Sequence, residues 1–114
     1  MLFFCRNMKI EDIIESLNTH IDNKRRELNI NATGHLVLHK VIEPHPTFKA
    51  YKKYSYNIWC ISSTKNKILE FNYMSRVISG LEDNLRNMLD MKLATLLFDW
   101  IGSDSYKKVV NGEI

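Results

Sequence analysis

The sequence predicts an α+β domain, a small three-stranded antiparallel sheet with helices packed on one face, in the order α-β-β-β-α. Three observations predict it. An apolar stripe at helical spacing stands near the start, three short β-branched or aromatic segments fill the middle, and a long apolar run with helix start and stop signals closes the chain. At 114 residues there is room for one hydrophobic core, so residues 1–114 are expected to form a single domain.

The first helix rests on Ile10, Ile14, Leu17, Ile21 and Leu28, which recur at steps of four, three, four and seven. Glu11 and Asp12 in its first turn and Lys24, Arg25 and Arg26 near its end suit the helix dipole. Asn29 to Gly34 then lets the chain leave the helix. Residues 1–7 read either as a short extra strand or as a loose arm. Leu36 to Ile42 is apolar on both parities and forms the first strand, stopped by Pro44 and Pro46. In the second, Tyr54, Tyr56, Ile58 and Cys60 share one face, and Asn57, Trp59 and Ile61 the other. A polar turn, Ser63-Thr64-Lys65-Asn66, leads to the third, where Leu69, Phe71 and Tyr73 oppose Ile68, Glu70 and Asn72.

Ser79-Gly80-Leu81-Glu82 has the form of a capping box and opens the second helix, with Gly102 placed to end it. From Leu93 to Ile101 this helix is apolar around most of its circumference and needs cover on more than one side. Two solutions stand open. The C-terminal tail, residues 103–114, folds back with Tyr106, Val109 and Val110, or a second subunit docks. The second makes Leu93, Leu96, Leu97, Phe98, Trp100 and Ile101 a homodimer interface.

Composition bounds function mainly by exclusion. Two cysteines, Cys5 and Cys60, are too few for a disulfide scaffold and point to a reducing, cytoplasmic setting. No apolar run approaches the roughly 20 residues that span a bilayer, so no membrane partner is expected. No nucleophile motif, phosphate-cradling glycine loop or paired acids stand out, and no catalytic residue, cofactor or metal is assigned. His35 and His39, four apart on a strand, lie roughly 13 Å from each other and cannot chelate together. Glu43 and His45 at a proline-stiffened loop, with His39, make the best candidate pocket for a small molecule or nucleotide.

Charge is the most informative feature. Between Pro44 and Leu69 there is no acid, while Lys49, Lys52, Lys53, Lys65 and Lys67 stand among Phe48, Tyr51, Tyr54, Tyr56 and Trp59. Lysines with aromatics can hold phosphates and stack bases, so Lys49, Lys52, Lys53, Tyr54, Tyr56, Lys65 and Lys67 form a candidate nucleic-acid-binding set. Against this stands the leading expectation of a non-enzymatic, inhibitor-type accessory protein that binds a protein partner, as small proteins of phages and mobile elements do.

The element order is similar to that of the double-stranded-RNA-binding domain, with Pro44-His45-Pro46-Thr47-Phe48 in the loop between the first two strands. The likeness is one of topology over about 90 residues. Glu43 stands where that family has glycine, and Arg76 is the only basic residue of Ser75 to Ser79, so no functional residue carries over.

Overall fold

The structure, a computed structural model, describes residues 9–76, 80 and 82–114. The element order is α1 (Ile10–Glu27), β1 (His35–Pro44), β2 (Tyr51–Ile61), β3 (Lys65–Arg76), α2 (Glu82–Ile101) and α3 (Asp104–Asn111). The three strands form one antiparallel sheet in the order β1-β2-β3, and the α+β architecture is as the sequence predicts. The expected C-terminal tail, however, is a two-turn helix. Residues 1–7 and the Ser79 and Leu81 of the expected capping box lie outside the described residues.

Ile10, Ile13, Ile14, Leu17 and Ile21 of α1 are buried, which confirms the stripe up to its last member. Leu28, expected to extend it, is 54% exposed, because the helix stops there. Asn29 adopts a left-handed φ of 55°, its N–H reaches Arg26 O, and that of Ile30 reaches Arg25 O. This paired closure turns the chain outward at Leu28.

Lys9 at the α1 N-cap offers no side-chain bond. Asp90, far along on α2, does so instead, its Oδ2 accepting from Ile10 N–H at 3.2 Å. A carboxylate there also suits the positive end of the helix dipole. Lys40 of β1 pairs with Glu11, lies 4.0 Å from Asp90 Oδ1 and sits over the Tyr56 ring.

Strand β2 is the spine of the core. Tyr54, Tyr56, Ile58 and Cys60 are all at most 5% exposed and face the helices, as the alternation predicts. Opposite them in β3 stand Tyr73, Phe71 and Leu69, and in β1 Ile42, Lys40, Leu38 and Leu36. The strands are longer than expected. β2 begins at Tyr51, and Lys65 and Asn66, expected in the turn, already belong to β3.

Helix α3 answers what the second half of α2 lacked. Tyr106, Val109 and Val110 are buried, and Tyr106 meets Trp100 edge to face at 5.4 Å between centroids. Gly102 ends α2, but not through a left-handed turn. Ser103 takes over, its hydroxyl donating to Trp100 O and accepting from Tyr106 N–H. The left-handed glycine is Gly112, which closes α3 at φ 77°; a Cβ there would come within 2.8 Å of that of Ala32.

Arg25 locks α3 in place. Although charged, it is 3% exposed, and its guanidinium donates to Val110 O (3.0 Å), Val109 O (2.6 Å) and Gly34 O (2.7 Å). One side chain thus satisfies two carbonyls at the C-terminus of α3 and ties the start of β1 to both helices.

Candidate functional site

All three helices lie on one side of the sheet. The molecule's principal Cα extents are 51 × 30 × 18 Å, the shortest of which matches two layers about 10 Å apart. The far face is therefore open among the described residues. Along β2 it presents Tyr51, Lys53, Ser55, Asn57, Trp59 and Ile61, every one only partly buried. In register beside them stand His35, Val37, His39, Val41 and Glu43 from β1 and Lys65, Lys67, Glu70, Asn72, Met74 and Arg76 from β3.

An irregularity in β3 puts two lysines there. Ile58 pairs with Leu69, yet its neighbour Trp59 pairs with Lys67, leaving Ile68 as an extra residue. Strict alternation would send Lys65 and Lys67 to the same side as Leu69, Phe71 and Tyr73. The bulge reverses their direction, as bulges do. Lys65 Nζ then lies 4.7 Å and Lys67 Nζ 5.3 Å from the Trp59 ring centroid, on the open side.

The middle of this face is polar. Asn72 Nδ2 donates to Glu70 Oε1 at 3.3 Å, and Lys67 Nζ lies 3.8 Å from Glu70. Asn57, in the same band, has its Oδ1 shielded from solvent without a hydrogen-bond partner among the described residues. At the far end the β1–β2 loop folds into a ring cluster. His45 Nδ1 accepts from Thr47 and Phe48 N–H, both at 3.0 Å, and its ring lies 5.0 Å from that of Phe48, which in turn lies 5.9 Å from that of Tyr51. An open hollow of about 260 Å³ beside it is lined by His45, Pro46, Lys53, Asn72, Tyr73 and Met74.

Charge divides between the layers. Residues 35–76, the sheet and its loops, carry seven basic and two acidic side chains; residues 9–34 and 80–114, the helical layer, carry eight basic and eleven acidic. The excess of five positive charges thus belongs to the sheet.

The structure disperses much of the expected nucleic-acid-binding set. Tyr54 and Tyr56 are in the core and cannot stack on a ligand; burial pushes the Tyr56 hydroxyl from its ordinary 10 up to about 12, with Asp90 adding to the rise. Lys52 shares their side of β2, and Lys49 is on the exposed loop. Lys53, Lys65 and Lys67 do share the open face, and Trp59, Tyr51 and Arg76, absent from the expected set, join them. Trp59 was legible by parity, since it alternates with the buried tyrosines.

Of the candidate pocket residues, His39 and Glu43 lie on the open face of β1, and only His45 lines the hollow. Among the described residues no three His, Cys, Asp or Glu side chains gather to hold a metal. Cys60 is fully buried beside Gly34, and burial raises its thiol pKa, which disfavours the nucleophilic thiolate. Of the six residues expected at a dimer interface, Leu93, Leu97 and Trp100 are enclosed by their own chain. Leu96, Phe98 and Ile101 keep accessible surface. Among the described residues no helix is long and apolar enough to cross a membrane.

No family model, curated protein or solved structure matches the chain.

Proposed function

We propose that the protein is a nucleic-acid-binding module that receives a phosphodiester chain on the open face of its sheet. The observation that carries this reading is the division of charge: the layer whose far face is open among the described residues holds the positive excess, and the layer behind it is net acidic. Lys53 and Arg76 stand toward one end of the face, Lys65 and Lys67 toward the other. The six residue steps along β2 from Lys53 to Trp59 span roughly 20 Å, enough for phosphates to be gripped at both ends.

The lysines over Trp59 do not block the site. An exposed cation–π contact is worth about 0.5–1 kcal/mol, whereas stacking a base on an aromatic ring is worth about 1–3 kcal/mol. A base therefore displaces the ammonium groups, which are then free to meet phosphate.

The test is affinity against salt. Four phosphate contacts predict a slope of about −2.8 to −3.6 in log K against log salt, or roughly 50- to 150-fold weaker binding at 200 mM than at 50 mM. A flat response, or no binding at 50 mM, would contradict the proposal.

A second reading, an inhibitor-type protein binder that dimerises through α2, is favoured by one observation: Met91 and Phe98 on that helix are 66% and 38% exposed. Sedimentation at tens of micromolar decides it. A dimer that Phe98→Glu converts to monomer supports it, and a monomer in both forms removes it.

A further inference from the structure

We infer that the occupant of the open face is a single strand, RNA or DNA, with an unpaired base stacked on Trp59. The inference rests on the nucleic-acid reading and adds to it the state of the ligand.

Trp59 sits on the central strand, flanked in register by Val37 on β1 and Lys67 on β3, with its ring on the face that no helix covers among the described residues. A duplex shows a protein only base edges and backbone, because its base faces are taken up in stacking. A ring lying in a flat sheet surface has no groove to enter, and only a splayed-out base can lie against it. The neighbouring residues match that geometry. Exposed His39, one row from Trp59, and exposed Asn72, two rows away, offer an imidazole nitrogen and an amide oxygen as acceptors. Exocyclic amino groups of unpaired bases are the donors such acceptors take. Lys65 and Lys67, drawn beside Trp59 by the bulge, supply phosphate partners next to the stacked base. Neither a ring stack nor a lysine–phosphate pair depends on the 2′-hydroxyl, so RNA and DNA strands bind alike.

The chain offers its own probe. It has two tryptophans, and Trp100 is 5% exposed in the core, so quenching by added ligand reports on Trp59. The full chain is titrated at 50 mM salt with a 12-nucleotide oligo(dT), the matching oligo(rU), and a 12-base-pair blunt DNA duplex, monitoring both fluorescence and anisotropy of labelled ligand. The expected result is quenching by both single strands, at least tenfold weaker binding of duplex, and a loss of about tenfold or more in single-strand affinity for Trp59→Ala. Trp59→Phe, which keeps a ring in the strand, should recover part of that loss and guards against a folding defect in the alanine variant. Duplex binding as tight as single-strand binding, or unchanged affinity in a folded Trp59→Ala protein, overturns the inference while leaving salt-dependent nucleic-acid binding standing. No binding of any of the three ligands overturns both.

Discussion

The two faces of one strand have opposite characters. On its helix side, β2 sets Tyr54, Tyr56, Ile58 and Cys60 in a dry core where each has neighbours on all sides. On its other side, one residue along each time, Lys53, Ser55, Asn57 and Trp59 are partly exposed, with no helix above them among the described residues. The first face is what an isolated two-layer domain must build to fold. The second is under no such demand, yet it carries a tryptophan, exposed polar side chains and lysines turned toward it by a bulge. On the proposed function, stability belongs to the covered face and recognition to the open one. Changes on each side should therefore separate cleanly.

The largest expected effect lies in the helical layer. Arg25→Met leaves Val109, Val110 and Gly34 carbonyls without their charged donor and should cost about 3–5 kcal/mol, loosening α3 from α1. Denaturant unfolding measures it, and nucleic-acid affinity under conditions where the variant remains folded should be unchanged. A loss below about 1 kcal/mol would show that Arg25 does not hold the layer together.

A smaller effect concerns pH. Burial raises the Asp90 carboxyl above its ordinary value, opposed by the bond from Ile10 N–H and the charge of Lys40. The folded state then holds a proton that the unfolded state releases, so Asp90 contributes stability at low pH that is lost as pH rises through its raised value. Glu11 has the opposite sign. Burial pushes it up as the largest single effect, but the Lys40 bond, its own backbone N–H and the nearby lysines together hold it below 4.5. Its contribution is present above that value and lost as pH falls. Asp90→Asn leaves only the Glu11 effect, so its melting temperature should fall more steeply than the wild type's between pH 7 and pH 4, by a few degrees. Equal slopes would contradict the assignment.

Much of the fold was legible because its signals are local. Stripe spacing placed α1, alternation placed the core side of β2, and the apolar excess of α2 announced a covering element, which Tyr106, Val109 and Val110 supply. What could not be read arises from contacts distant in sequence. Arg25 continues the stripe four residues past Ile21, and a cation on an apolar stripe was the available sign of its burial; its acceptors on α3 lie 84 and 85 residues away. Asp90, likewise on the buried side of its helix, finds its partner 80 residues away at Ile10. The open site was half legible. Lysine and aromatic content singled out the segment that carries Trp59 and the lysines of the open face, but content takes no account of alternation and so included buried Tyr54 and Tyr56, and only the bulge at Ile68 joins Lys65 and Lys67 to Trp59.

The most direct test compares charge reversals on the two layers. Lys53→Glu with Lys67→Glu alters the open face, and Lys24→Glu with Lys107→Glu makes the same change of net charge on exposed positions of α1 and α3. Binding of a labelled single-stranded oligonucleotide at 50 mM salt is then measured for both folded variants. The first pair should lose at least thirtyfold in affinity and the second less than threefold. Equal losses would show that net charge alone drives association and that the open face of the sheet is not the site.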